Sequence, residues 1–315
     1  MKKIDIIIPC YGSKNTIRPV VEKIFNSLKG LYNAKIILAN DCSPDGVWEE
    51  ITSLCKEYQQ VIGINLARNF GQQAARMAAI EYVQGEYVVF MDDDGQHDSD
   101  YIPALIEKIE EGFDIVYASF EKKKQAKWKT LGSNFHQFTS ELLEEKPKGV
   151  RISSFFAVRR YIIEELKNYP SPSPVILGYL MKSTQNIASI SVPHKDRING
   201  KSGYTLRKLI KLWLNAATSF SIVPLRISSY LGFVSAGIGI VALIIIVIRK
   251  LIHPEIAAGY TSIIAVILLF AGILLLMMGL IGEYLGRVFM TVNHVPQYVI
   301  KEVANIDKKG DVKNV

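Results

Sequence analysis

The sequence predicts an α/β protein: an open, doubly wound, mostly parallel sheet, followed by an interfacial helical region and two transmembrane helices. Two observations carry that prediction. Through the first two thirds of the 315 residues, short apolar runs alternate with segments of helical period. In the last third, two long stretches contain no charged residue at all.

In chain order, the strand candidates are Ile4–Ile8, Lys35–Ala39, Val61–Leu66, Tyr87–Met91 and Asp114–Ala118. Runs this continuously apolar are buried on both faces, as in a parallel sheet covered by helices. Between them the periodicity predicts helices near Ile17–Leu28, Val47–Tyr58, Gln72–Tyr82 and Tyr101–Ile109. Such β–α–β alternation winds right-handed. Residues 1–203 therefore read as one domain, and 204–226 as an amphipathic juxtamembrane region. From Tyr204 to Phe220, Leu206, Ile210, Trp213 or Leu214, and Ala217 share a helical face, with Arg207, Lys208 and Lys211 on others. That pattern fits a helix in the membrane interface and equally an ordinary amphipathic helix packed on the domain.

Residues 227–248 and 256–282 are the uncharged stretches. Each exceeds the ~20 residues needed to cross a hydrocarbon core about 30 Å thick. The link Arg249–Glu255 is too short for a domain, so the spans are expected to form a hairpin with both termini on one side and residues 283–315 as a cytosolic tail. The amino-terminal apolar stretch stops at Pro9, short of a signal-peptide core. Arg207, Lys208, Lys211 and Arg226 before the spans and Arg287 after them obey the positive-inside rule, while Arg249 and Lys250 run against it. The expected location is the inner, cytoplasmic membrane, multi-pass, with the large domain in the cytosol. Gly232, Gly237, Gly239, Gly272, Gly279 and Gly282 permit close helix packing, including in a homo-oligomer.

Composition removes several function classes. Lys and Arg number 37 against 30 Asp and Glu, a net +7, which argues for no nucleic acid but suits a surface facing anionic lipid. Cys10, Cys42 and Cys55 form no C-x-x-C pair, so a disulfide scaffold and a cysteine-built zinc site are excluded. Phosphate-loop, dinucleotide-fold, zincin and nucleophile-elbow motifs are missing as well.

Ligands of open α/β sheets bind beyond the carboxyl ends of the strands. Three predicted strands end in polar sequence there: Pro9-Cys10-Tyr11-Gly12, Asn40-Asp41-Cys42-Ser43-Pro44-Asp45-Gly46, and Met91-Asp92-Asp93-Asp94-Gly95-Gln96-His97. Three consecutive carboxylates repel one another. A divalent cation would relieve that repulsion, and hard oxygen donors suit Mg²⁺ or Mn²⁺. The alternative is an acidic surface turn that caps the next helix.

Taken together, Ile6-Ile7-Ile8-Pro9-x-Tyr11, Asn40-Asp41-x-Ser43-x-Asp45-Gly46, Leu66-Ala67-Arg68-Asn69-Phe70-Gly71 and Asp92-x-Asp94-x-Gln96-His97 resemble the successive motifs of glycosyltransferase family 2, which has the GT-A fold. Arg197-x-x-Gly200-Lys201-Ser202-Gly203-Tyr204-Thr205, Phe220-Ser221-x-x-Pro224-Leu225-Arg226 and Gly282-Glu283-Tyr284-Leu285-Gly286-Arg287 resemble its polyprenyl-phosphate branch. The resemblance implies a nucleotide-sugar donor, with Asp41 on the base beside Pro9 and Tyr11, and with Arg68 in the donor pocket. It implies Asp92 and Asp94 as the catalytic D-x-D, Asp92 and Asp93 near ribose and phosphates, and Asp94 with Gln96 as ligands of Mg²⁺ or Mn²⁺. The metal would stabilise the diphosphate leaving group. Arg197, Lys201 and Arg207, with the Ser202 hydroxyl, are the expected partners of a polyprenyl phosphate at the bilayer. That phosphate is already anionic near neutral pH, its second pKa being about 6, so it needs no general base, and in-line attack inverts the sugar. Lys122, Lys123, Lys124, Lys127 and Lys129 read as a solvated loop or as one that closes over substrate. Two other functions stay open: a processive polysaccharide synthase, against which the missing Q-x-x-R-W element speaks, and a non-catalytic nucleotide-sugar-binding membrane adaptor. A UDP-linked donor is expected, with GDP as the alternative, and the sugar itself is left open.

Overall fold

The computed structural model describes residues 1–120, 151–169, 171–193, 223–252 and 260–305. Its centre is a parallel core of four strands: β1 (Lys3–Cys10), β2 (Asn33–Asn40), β3 (Val61–Leu66) and β4 (Tyr87–Phe90). β1 lies between β2 and β4, and β2 pairs onward with β3. Helices α1 (Ile17–Leu28), α2 (Val47–Glu57), α3 (Gln72–Ile80) and α4 (Ile102–Glu110) follow the four strands in turn. All eight predicted elements of this half are therefore present within a residue or two of their expected ends.

The sheet is covered on both sides. Ile4, Ile6 and Ile8 of β1 pack with α1, α2 and α4, while Ile7 turns the other way toward α3. Alternate side chains of a strand point to opposite faces, so a strand apolar at every position needs two apolar layers. The second layer also receives Ile162, Ile163 and Leu166 of α5 (Arg160–Lys167) and Ile176 and Leu180 of α6 (Ile176–Ser183).

The sheet is mostly parallel, as expected: six of its eight strands run one way and two are reversed. The full order is β7-β5-β6-β4-β1-β2-β3-β8, with β5 (Ile115–Phe120), β6 (Phe156–Arg159), β7 (Ile187–Val192) and β8 (Ile300–Ala304). β6 runs antiparallel between β4 and β5, and β8 runs antiparallel along β3. The sheet is mixed, and its reversed strands come from segments whose pairing partners are distant in sequence.

Two compact units divide the chain: residues 1–204 together with the segment from His294 onward, and residues 205–293. The second unit contains α7 (Val223–Ile252), which includes the uncharged stretch 227–248, and α8 (Tyr260–Val292), which takes in the second stretch from residue 260 on. Among the described residues one stretch, Phe270–Val292, is long and apolar enough to cross a membrane. Phe233 and Ile238 of α7 and Leu275 and Met278 of α8 are exposed. Of the six glycines named above, Gly232 is the one where an added Cβ would meet the other helix, 3.5 Å from Met277 Cε.

The segment after residue 283 is not simply a tail. It continues as helix to Val292 and then supplies β8 to the sheet of the first unit. Around it, the Asn305 amide donates to the carbonyls of Tyr58, Gln59 and Val61, and the Gln297 amide donates to that of Tyr169.

Candidate active site

Because β1, β2 and β4 are parallel neighbours, their carboxyl ends open on one edge, and main-chain donors sew their loops together. Tyr11 N–H donates to Asp93 Oδ2 at 2.9 Å, and Thr16 Oγ1 donates to the Asp93 carbonyl at 2.7 Å. Gly12 N–H donates to Ser43 Oγ at 2.8 Å, and Lys14 N–H to Asp45 Oδ2 at 2.9 Å. Burial draws the Asp45 carboxyl upward. Its bonds from Ser43 Oγ and the N–H groups of Lys14 and Val47 outweigh that and hold it below the ordinary carboxylate range.

Asp41, expected on the base, commits both oxygens to the next loop. It accepts from Phe70 N–H at 2.7 Å and Gly71 N–H at 2.9 Å, and burial still leaves its pKa raised. The side chain thus anchors the turn that presents Arg68, whose exposed guanidinium lies 4.5 Å over the Phe70 ring. Pro9 is buried under the loop while Tyr11 is 54% exposed, which leaves its ring available as a stacking face.

The three consecutive carboxylates have three different settings. Asp92 Oδ1 accepts from Gln72 Nε2 at 2.8 Å and from the Arg76 guanidinium at 2.9 Å; Oδ2 accepts from Ser154 Oγ at 2.7 Å. Asp92 N–H donates to His97 Nδ1 at 2.9 Å, so the ring proton is assigned to Nε2, 3.6 Å from Asp92 Oδ2. Phe120 and Phe155 both stack on that imidazole. Asp93 lies deeper, and burial pushes its carboxyl up to about 6; the Tyr11 N–H pulls it down and the charge on Asp92 pushes it further up. Asp94 stands at a tight turn, its Oδ1 accepting from Gln96 N–H at 3.0 Å across Gly95, whose φ of 74° is left-handed.

Capping does not account for this cluster. Asp98 is the residue that accepts from Asp100 N–H and starts the short 3₁₀ turn Ser99–Tyr101 leading into α4. Arg76 is a contact that residue patterns did not single out. Arg76 is 1% exposed although it stands in the alanine-rich run Ala74-Ala75-Arg76-Met77-Ala78-Ala79, and a charge inside such a run was the available signal. Arg197, Lys201, Ser202 and Arg207, the expected acceptor residues, lie outside the described residues, as do the lysines at 122–129 and the amphipathic segment up to residue 222.

The family model of glycosyl transferase family 2 matches residues 5–167, just over half the chain. The chain belongs to glycosyl transferase family 2. A second family model, the GtrB C-terminal hairpin, matches residues 223–288. An undecaprenyl-phosphate 4-deoxy-4-formamido-L-arabinose transferase of Aeromonas hydrophila is 31% identical over 314 residues, covering 96% of this chain and 94% of its own. An uncharacterized glycosyltransferase, YkcC, of Bacillus subtilis is 29% identical, covering 97% and 95%. Among solved structures, glucosyl-3-phosphoglycerate synthase of Mycobacterium tuberculosis superposes with a TM-score of 0.53 at 18% identity, over 69% of this chain and 78% of that one. That likeness shows the fold, a GT-A-like mixed α/β sheet.

As a family 2 glycosyltransferase the chain is an enzyme, and its D-x-D turn can be tested for metal. Among the described residues no group of three or more His, Cys, Asp and Glu side chains is arranged to hold an ion. Asp94 and Gln96 nevertheless offer two hard oxygens from one turn. Such a partial set fits Mg²⁺ or Mn²⁺, which take much of their coordination from waters and substrate phosphates.

Proposed function

We propose that this glycosyltransferase moves one sugar from a nucleotide sugar, probed first as UDP-linked, to undecaprenyl phosphate at the cytoplasmic face of the inner membrane, with inversion. The observation that carries the reading is the convergence of the β1, β2 and β4 loops on four carboxylates, Asp41, Asp92, Asp93 and Asp94. The near full-length relative of Aeromonas hydrophila bears the name of an undecaprenyl-phosphate sugar transferase, and the Mycobacterium tuberculosis neighbour was crystallised with Mn²⁺ and UDP-glucose. Both support the donor and acceptor classes.

Each part of the chain has a task. The Asp41-anchored loop and Tyr11 frame the base, and Arg68 stands at the rim of that pocket. Asp92, held by Arg76, Gln72 and Ser154, presents the turn that carries Asp94 and Gln96. A divalent cation on Asp94 and Gln96 would supply positive charge to the departing diphosphate. Arg197, Lys201 and Arg207, with Ser202, are proposed to grip the acceptor phosphate, whose own oxygen attacks.

The hairpin of two spans remains part of this reading. It is supported by β8 rejoining the sheet that β1 begins, which an even number of crossings between residues 205 and 293 would allow. The 30 residues of α7 extend about 45 Å at 1.5 Å each, enough to partner the Phe270–Val292 span as a hairpin.

Incubating purified protein with undecaprenyl phosphate and a panel of nucleotide sugars, then weighing the lipid products by mass spectrometry, tests the reading. One added sugar per lipid is expected. Long polymer would move the protein to the processive synthases; tight nucleotide-sugar binding without turnover on any polyprenyl phosphate would make it an adaptor. In the same assay Asp94→Asn is expected to lower transfer by about 100-fold or more while thermal unfolding stays unchanged.

A further inference from the structure

β8 reaches the donor loops through side chains as well as through the sheet. Glu302 stands opposite Asn65 in the β3–β8 register, and its Oε1 accepts from Asn65 Nδ2 at 2.7 Å. Asn65 Oδ1 accepts from Asn40 Nδ2 at 2.8 Å, and Asn40 Oδ1 accepts from Ser43 N–H at 3.0 Å. Both asparagines are buried, Asn65 at 7% and Asn40 at 2% exposure. Ser43 Oγ then accepts from Gly12 N–H and donates to Asp45 Oδ1, which joins the β1 and β2 loops.

The relay has a direction. A side-chain amide carries a donor and an acceptor that exchange places when it flips, so each buried asparagine follows its neighbour. An ionised carboxylate only accepts. Glu302 therefore turns the Asn65 amine toward β8, which turns the Asn65 oxygen toward Asn40 and the Asn40 oxygen toward the Ser43 N–H. Were residue 302 a pure donor, both amides would flip and the Asn40 amine would face the Ser43 N–H, two donors with nothing between them. A buried donor left unmatched is costly, so the loop would have to move.

We propose that Glu302 is a positioning residue: by fixing the orientation of Asn65 and Asn40 it sets the Ser43 turn, and so ties donor binding to the strand that follows the apolar helices. The inference rests on the reading of the β1 and β2 loops as a nucleotide pocket. Its test titrates the full-length protein in detergent, with Mn²⁺ present, against UDP and separately GDP by calorimetry, with thermal unfolding in parallel. Glu302→Gln keeps an acceptor oxygen and is expected to bind within about twofold of wild type. Glu302→Ala is expected to weaken binding about fivefold, the scale of one net hydrogen bond, and Glu302→Lys more than that, in proteins that still unfold cooperatively. Wild-type affinity in the Lys variant would overturn the proposal, as would equal losses in the Gln and Lys variants, which would show that charge rather than bond direction matters. Should the Lys variant not fold, the Ala variant decides: weakened binding in protein that still unfolds cooperatively supports the relay, and unchanged binding overturns it. Failure of the wild type to bind either nucleotide would instead defeat the pocket reading, and this inference with it.

Discussion

The two ends of the parallel core handle their carboxylates in different ways. At the amino end Asp5, 2% exposed, accepts from Gln84 N–H at 2.5 Å and Gly85 N–H at 2.6 Å, with Lys35 Nζ 3.7 Å away. One acid, two main-chain donors and one cation close the turn before β4. At the carboxyl end Asp41 is held the same way by Phe70 and Gly71 N–H, but Asp92, Asp93 and Asp94 gather beside it, with Arg76 as the buried guanidinium set against Asp92. An acid that the fold uses for itself arrives with its partners. An acid kept for a ligand would leave negative charge over, and that surplus lies at the edge proposed above as the active one.

Breaking the comparison begins with Arg76. Replacing it by Met removes the cation from Asp92 while Gln72 and Ser154 remain, and losing one partner of a buried pair costs about 3–5 kcal/mol. Thermal unfolding of Arg76→Met should fall accordingly, and donor affinity should fall with it because the D-x-D turn is no longer held. The amino-end counterpart is Gly85→Ala. An added Cβ would lie 2.9 Å from the main-chain nitrogen of Asp5, a contact that backbone cannot yield easily. Overpacking of this kind costs about 1–3 kcal/mol, and the KM for donor in Gly85→Ala should stay at the wild-type value. A Gly85→Ala enzyme with altered donor KM would erase the distinction between the two ends.

How far the sequence reveals this follows from how local each signal is. β1 to β4 and their helices are legible because each strand is apolar at nearly every position and each helix shows its own period. β6 has four residues, and β8, Ile300-Lys301-Glu302-Val303-Ala304, carries two exposed charges and pairs with β3 more than 230 positions away. Nothing local distinguishes it from a tail. The site divides the same way. The Asp92-Asp93-Asp94 run announces itself, but the separate duties of its members do not, because they depend on Tyr11, Arg76 and Ser154 arriving from other loops and helices. Asp41 teaches the same lesson: its type suggests ligand recognition, and its position next to the Phe70–Gly71 turn gives it a structural duty too.

The smallest expected effect sharpens the comparison most, because it reads the surplus charge directly. The Asp93 carboxyl is pushed up to about 6 by burial, against an unfolded value near 3.9. Between those values the folded state binds the proton and the unfolded state does not, so stability falls as pH rises from about 4 to 6, and the whole cost is present above 6. A displacement of about two units at ~1.4 kcal/mol each sets a ceiling near 3 kcal/mol. Asp93→Asn removes that charge but weakens the bond from Tyr11 N–H by about 1 kcal/mol, leaving a net gain on the order of 1–2 kcal/mol. In chelator, the Asn variant should unfold at higher temperature than wild type at pH 7.5, and the gap should close, then reverse, as pH drops through 6 toward 4. Adding Mn²⁺ should narrow the gap at pH 7.5 by stabilising the wild type, since a cation matches the charge that burial leaves exposed to its neighbours. A gap that stays constant from pH 4.5 to 8 would mean that burial puts no charge burden on Asp93, and the surplus at the carboxyl end would lose its support.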